Sequence, residues 1–384
     1  MKILCDRNMP YAAEAFGTLG EVTLKDGREI TPEDVRDVEL LMTRSTTKVN
    51  PSLLDGSKIR FYGSAVIGTD HIDIPYLKER NIPWVSSPGC NAESVANYVS
   101  AALLWLAGRN SFTLEGKTVG VIGVGNVGRK VCRHLKGLGL HVLPCDPPRQ
   151  RDPLDAEAKD FVSLDKILLE ADIITCHVPL TREGLDPTFH LLNASAFAKM
   201  KPHVILVNAA RGPILDTDAL VASIDNGTVS HAVIDCWERE PSYRLDLMAR
   251  ADLATPHIAG HAFEGKVNGT KMTYQAACSF LGVPATYPFT LPLPPIPNWQ
   301  TDAEGRNDED VLREVVLAVY DIEGDSKRLK ASRSEDVALR AKAFDQQRSH
   351  YPIRRQFDST QVEIAHASPA LLEKFRQLGF QMIP

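Results

Sequence analysis

The stretch Lys117-Thr118-Val119-Gly120-Val121-Ile122-Gly123-Val124-Gly125-Asn126-Val127-Gly128 reads as a short apolar strand running into a G-x-G-x-x-G turn. Arg129 to Leu138 then offers helical spacing, so strand, glycine turn and helix follow one another. In such a turn the first glycine permits the tight bend. The second lets the backbone approach a diphosphate, and the third allows helix and strand to pack closely. Free N–H groups at the start of the helix complete an anion site. Asp146 ends the next apolar run, eighteen residues after Gly128, where a carboxylate can accept hydrogen bonds from an adenosine ribose. It would repel a 2′-phosphate, so NAD is preferred to NADP, although Arg149 nearby could greet that phosphate. Gly123, Gly125, Asn126, Val127, Gly128 and Asp146 are the resulting cofactor candidates. A glycine turn without a ligand and a solvated aspartate are the plainer alternatives.

Working outward, short apolar runs recur at Thr118–Ile122, His141–Cys145, Ile173–His177, Val204–Asn208, His231–Asp235 and Leu253–Ala254, with helical intervals between them. Six strands so spaced predict a doubly wound parallel sheet, a Rossmann-type α/β domain. Upstream, Lys2–Cys5, Val38–Met42 and Ile59–Tyr62 read as buried strands, with helices at Pro10–Leu19 and Pro75–Arg80, which predicts a second, flavodoxin-like α/β domain. Glu93 to Ala107 reads as a long connecting helix with Asn91 as its N-cap. Six prolines between Val283 and Trp299 forbid a continuous helix and favour an extended crossing segment. Beyond them, helical spacing at Val311–Tyr320 and Asp336–Phe344 and a strand at Gln361–Ala365 suggest a small α+β domain. The expected division is 1–92 with 258–282, then 93–257, then 283–384.

The bulk figures agree. The chain has 384 residues, room for two or three domains, and its 43% hydrophobic and 24% charged residues exclude a disordered chain. A net charge of −6 argues against non-specific nucleic-acid binding. The longest apolar stretch, Val99 to Ala107, is about half of the roughly 20 residues that cross a bilayer. Asp6 comes too early for a secretory signal. Seven cysteines without paired spacing read as free thiols and offer no metal site, so a cytoplasmic protein is expected.

Three polar residues follow three of the apolar runs. Arg211 follows Val204–Ala210, Glu240 lies five residues beyond Asp235, and His257 follows Asp252–Pro256. In a doubly wound sheet the carboxyl ends of the strands line the ligand crevice, so these residues can converge. A guanidinium can hold a carboxylate and polarise the neighbouring carbonyl. An imidazole can take a hydroxyl proton as hydride leaves the adjacent carbon, and a carboxylate beside it stabilises the imidazolium. Together with a nicotinamide they suffice to oxidise a 2-hydroxy acid. Taken singly, each is more ordinarily a surface charge or a structural histidine. Arg44, Ser45, Thr46, Thr47 and Lys48, after the run Val38–Met42, would suit a phosphate, or form a solvated loop.

Gly68-Thr69-Asp70-His71-Ile72-Asp73, Pro88-Gly89-Cys90-Asn91-Ala92, the glycine turn, His177-Val178-Pro179-Leu180-Thr181, Asn208-Ala209-Ala210-Arg211-Gly212, Asp235-Cys236-Trp237-Glu238-Arg239-Glu240-Pro241 and Pro256-His257-Ile258-Ala259-Gly260 form an ordered set over residues 1–282. In that set the chain resembles the D-isomer-specific 2-hydroxyacid dehydrogenases. Further stretches, among them Met42-Thr43-Arg44-Ser45, Cys145-Asp146-Pro147-Pro148-Arg149 and Tyr351-Pro352-Ile353-Arg354-Arg355, resemble a branch that oxidises a small phosphorylated 2-hydroxy acid in vitamin B6 biosynthesis. The resemblance implies Arg211, Glu240 and His257 in the active site, with His257 exchanging the proton. It implies NAD contacts at Asp146, Thr175, Asp235 and Gly260, a substrate contact at Ser45, and a homodimer built by the C-terminal domain. Two substrate positions depart from the branch: Val66 stands where a threonine is usual, and His261 where a tyrosine is usual. The arginines Arg348, Arg354 and Arg355 could reach the site or simply form a solvated face. A dehydrogenase for another D-2-hydroxy acid such as phosphoglycerate and an NAD-sensing corepressor-like scaffold are the rival readings.

Overall fold

The computed structural model describes residues 1–383, which form two compact units: Met1–Asn91 with His261–Pro292, and Ala92–Gly260 with the chain from Leu293 onward. In the first unit β1 (Lys2–Asp6), β2 (Glu21–Lys25), β3 (Leu40–Thr43), β4 (Phe61–Ser64) and β5 (Trp84–Val85) form one parallel sheet in the order β2-β1-β3-β4-β5. That is the flavodoxin-like order. Both faces are covered, so the central strands are apolar throughout: Ile3, Cys5, Leu40 and Met42 pack on one side, Leu4, Leu41 and Tyr62 on the other. The three expected strands are present, shifted by up to two residues. Two were not anticipated. β2 is a partly exposed edge strand of mixed polarity, and β5 has only two residues.

In the second unit β6 (Thr118–Ile122), β7 (His141–Cys145), β8 (Ile173–Cys176), β9 (Val204–Asn208), β10 (Val229–Ile234) and β11 (Leu253–Ala254) form a parallel sheet ordered β11-β10-β9-β8-β6-β7. The chain passes from β6 outward to β7 and then returns to β8 on the other side of β6. The glycine turn therefore sits at the topological switch point. Helix Asn126–Gly137 starts inside the G-x-G-x-x-G motif, not at Arg129, because the turn is complete by Gly125.

Helix Ala92–Asn110 is longer than expected and buried nearly all round. Helix Asn126–Gly137 covers one side, and helix Asp308–Val319 of the C-terminal segment covers another. Glu309 fastens that contact, its carboxylate accepting from Thr113 Oγ1 at 2.7 Å and the Leu114 amide at 2.8 Å. The C-terminal segment adds a three-stranded parallel sheet of β12 (Asn298–Asp302), β13 (Gln361–Ala365) and β14 (Gln381–Met382). It packs into the second unit because the two share the core around Ala92–Asn110. The proline-rich stretch is extended, and its first half belongs to the first unit: Tyr287 and Phe289 pack against Tyr11, and Phe289 also against Tyr274. Among the described residues no helix is long and apolar enough to cross a membrane.

Candidate active site

The glycine turn shows three separate reasons for its glycines. Gly123 has a φ of 88°, and a Cβ there would lie 2.8 Å from the His177 carbonyl. A Cβ on Gly128 would lie 2.0 Å from the Gly123 carbonyl oxygen, so helix and turn touch backbone to backbone. In front of Gly125 there is open space. The helix that follows has no side-chain cap and no acid in its first turn, which leaves its N–H groups and positive end to an anion. The site thus fits a dinucleotide diphosphate.

Asp146 shapes the same turn, accepting from the Val124 amide at 2.8 Å and from the Arg149 amide at 3.2 Å. A carboxylate has further lone pairs for a ribose. Arg149 is committed elsewhere: it pairs with Asp155 at 2.6 Å and Glu157 at 2.5 Å and donates to the Val124 carbonyl. Its charge is already balanced, which removes the main argument for a 2′-phosphate. Thr175 is buried at the end of β8, with its hydroxyl 2.9 Å from His177 Nε2. Burial pushes the His177 imidazole down to about 3 and keeps it neutral.

The catalytic candidates of the second unit come together. His257 Nδ1 lies 2.5 Å from Glu240 Oε1, while Glu240 Oε2 accepts from the Trp237 amide at 3.2 Å. Burial pushes the Glu240 carboxyl up, but the facing His257, with help from Arg348 and the Trp237 amide, outweighs it and holds the group below its ordinary range. Arg211 follows β9 and donates to the Ala210 carbonyl at 2.8 Å. Gly212 brings it beside the Glu240 loop, for a Cβ there would lie 1.9 Å from the Trp237 carbonyl carbon. The Cys236 thiol closes the contact from below, 3.3 Å from Ala210 O. A second glutamate, Glu238, lies two residues before Glu240. Glu238 is taken by His190 at 2.9 Å and Thr217 at 2.7 Å, which leaves Glu240 for His257.

Asp235, expected against the cofactor, is buried beneath the His257 loop. Its carboxylate accepts from Thr255 Oγ1 and the Ile258 amide at 2.7 Å each, and from the Ala259 amide at 3.0 Å. Through these bonds it supports the loop that carries His257. Gly260 ends the same loop. Of the three C-terminal arginines, Arg348 adds its charge beside Glu240, whereas Arg354 and Arg355 are buried. Of the two readings the sequence left open, a reach toward the site or a solvated face, Arg354 and Arg355 fit no solvated face.

The substrate candidates lie in the first unit. Arg44 and Ser45 leave the carboxyl end of β3, and Val66 follows β4, on the same edge of the sheet. Asp6 ends β1 beside them; burial pushes its carboxyl up, and the Asn8 amide and the Arg44 charge pull it back only in part. Val66 is half-buried, with its carbonyl accepting from the Ser87 amide at 3.0 Å. His261 opens the returning segment, two residues before helix Phe263–Leu281.

With this geometry established, comparison with known proteins is informative. Residues 96–259 match the D-isomer specific 2-hydroxyacid dehydrogenase, NAD binding domain, and residues 291–379 match a domain of unknown function (DUF3410). The chain belongs to the D-isomer specific 2-hydroxyacid dehydrogenase family. Its full-length relatives include the erythronate-4-phosphate dehydrogenase of Cronobacter sakazakii, 43% identical over 99% of this chain and 98% of that one. The enzyme of the same name from Marinobacter nauticus is 41% identical over the whole of both chains. Among solved structures, the NAD+-bound 3-phosphoglycerate dehydrogenase of Entamoeba histolytica shares the fold, with a TM-score of 0.63 and 22% identity over 76% of this chain and 99% of that one.

Proposed function

We propose that the protein oxidises 4-phospho-D-erythronate to (R)-3-hydroxy-2-oxo-4-phosphooxybutanoate with NAD, a step in the synthesis of pyridoxal 5′-phosphate. The observation that carries this reading is the His257–Glu240 pair with Arg211 packed beside its loop, in a chain whose relatives bear that enzyme's name over their full length. The amides of Gly123 to Gly128 and Asp146, with Thr175 and Gly260, would hold NAD, which would supply the hydride acceptor. Arg211 binds the substrate carboxylate and polarises the carbon beside it. Glu240 occupies Nδ1 of His257, so Nε2 is the nitrogen that takes the hydroxyl proton. The carboxylate then stabilises the imidazolium formed. Arg44 and Ser45 are assigned to the phosphate of the substrate, and His261 and Val66 to further substrate positions, where histidine can donate a hydrogen bond and valine cannot. Asp235 acts from below, through the loop that carries His257.

The C-terminal segment is assigned a homodimer interface. Leu293, Val337, Leu339 and Ile353 are exposed, and helix Val337–Ser349 buries only Arg340 and Phe344. Val337→Asp with Leu339→Asp in the full chain is expected to give monomers on light scattering. All seven cysteines are free thiols and six are buried, which suits a reducing cytoplasm.

The deciding experiment is a panel of phosphorylated and plain D-2-hydroxy acids assayed with NAD and with NADP. NADH formation strongest with 4-phospho-D-erythronate is expected. A higher kcat/KM for 3-phosphoglycerate would reassign the substrate, and NAD binding without turnover of any acid would favour a sensing scaffold.

A further inference from the structure

A buried cation ties the C-terminal segment to the loop of His257. Arg354 donates from Nη2 to the Ala259 carbonyl at 2.5 Å, two residues beyond His257, and lies 3.4 Å from the Ser94 carbonyl. Its guanidinium sits 4.4 Å from the centre of the Tyr320 ring and 6.0 Å from that of Tyr351. Both tyrosine hydroxyls donate to Oδ2 of buried Asp325, at 2.8 and 2.6 Å. The residues that follow fasten the same stretch to helix Ala92–Asn110. Gln356 Nε2 donates to Ser94 Oγ at 2.9 Å, and the Phe357 amide to Asn97 Oδ1 at 3.2 Å.

Taking a guanidinium out of water costs several kcal/mol, and an apolar side chain of similar size would fill the space without that cost. What arginine adds is a directed N–H against one carbonyl, with ring faces and a carboxylate to balance its charge. The loop it holds needs support. His257 has a φ of 54°, in the left-handed region that a side chain of its size seldom adopts. From the sheet side, Asp235 holds the loop by the Ile258 and Ala259 amides, and its carbonyl accepts from the His257 amide at 2.8 Å. The Ala259 carbonyl is held by Arg354, from the C-terminal segment.

We infer that Arg354 is a positioning residue for His257: its hydrogen bond to the Ala259 carbonyl fixes the backbone that delivers the imidazole to Glu240, so the C-terminal segment takes part in assembling the active site. This rests on the reading of His257 as the proton acceptor. Arg354 acts through Ala259, while the charged groups around the imidazole itself are Glu240 and Asp235, with Arg348 beyond Glu240.

The test compares full-length Arg354→Met and Arg354→Lys with the unaltered protein by steady-state kinetics and by NMR of the His257 ring. Arg354→Met should lower kcat by about 10²-fold, as expected for a small misplacement of a reacting group, with the KM for NAD little changed. The Nδ1 proton resonance shared with Glu240 should broaden or vanish, and Arg354→Lys should recover part of both. A folded variant with unaltered kcat and an unaltered resonance overturns the inference. So does a lowered kcat with the resonance unmoved. Should Arg354→Met not fold, Arg354→Lys decides by the same two measurements. If the unaltered protein oxidises no 2-hydroxy acid, the proposed reaction falls, while the ring resonance still reports whether Arg354 positions His257.

Discussion

His257 and Glu240 meet through a 2.5 Å contact between Nδ1 and Oε1, although seventeen residues and strand β11 separate them in the chain. The contact sets the orientation of the ring and places a negative charge where the imidazolium will form. Replacing Glu240 by Gln keeps the shape and removes the charge. Oxidation should slow by about 10²-fold or more. Turnover like that of the parent chain in Glu240→Gln would remove the carboxylate from the mechanism.

Arg211 is argued to hold a carboxylate with two parallel N–H groups, which lysine cannot reproduce. Arg211→Lys and Arg211→Ala should both lose turnover by orders of magnitude, with NAD affinity unchanged in a fluorescence titration. Wild-type-like turnover in either would remove Arg211 from the mechanism.

The glycines of the phosphate turn allow a contrast. Gly128→Ala drives a methyl into the Gly123 carbonyl, so about 1–3 kcal/mol of stability should be lost along with NAD binding. At Gly125 φ is −75° and no atom lies within 4 Å of the place a methyl would take, so Gly125→Ala should melt like the parent chain yet bind NAD poorly. Equal NAD affinity in Gly125→Ala would move the diphosphate elsewhere.

His134 predicts how stability follows pH. Its Nε2 lies 2.8 Å from Glu93 Oε1, and its Nδ1 3.0 Å from Ser100 Oγ. Burial lowers its proton affinity by more than Glu93 raises it. For Glu93, burial pushes upward, but His134, Arg133 and Lys130 outweigh it and leave the carboxyl low. Both groups therefore bind protons more readily in the unfolded chain, and stability is lost as pH falls. The loss begins below the unfolded histidine value of about 6.5, with Glu93 adding to it below about 4.3. Urea midpoints should drop between neutral pH and pH 5, and His134→Gln should reduce that slope. His177, also held neutral by burial, keeps it from vanishing. An identical slope in His134→Gln would assign the effect to other groups.

Much of the fold was legible because its signals are local. A strand buried on both faces must be apolar over four or five consecutive residues, and a diphosphate turn must place glycine where a Cβ has no room or would block the ligand. Runs such as Thr118–Ile122 and Val204–Asn208 therefore show their bounds directly, while Gln361–Ala365 shows its own by alternation. β2 was hidden because Glu21–Lys25 lies at a sheet edge, where it carries only two apolar residues and no continuous apolar run. The C-terminal segment read as a separate domain because composition changes at the prolines. Its packing against Ala92–Asn110 depends on which apolar faces meet, and no local pattern records that.

By itself, then, the order of residues determined most strands of the two parallel sheets, the phosphate turn and the choice of Arg211, Glu240 and His257 as candidates. Tertiary structure decided that Glu240 meets His257 at Nδ1, that Asp235 supports the loop from beneath, that Arg149 is spent on Asp155 and Glu157, and that Arg354 reaches Ala259. The physical reason is the same in each case. Backbone periodicity and steric room are written in neighbouring residues, whereas a charge finds its partner only when distant segments are brought within hydrogen-bonding reach.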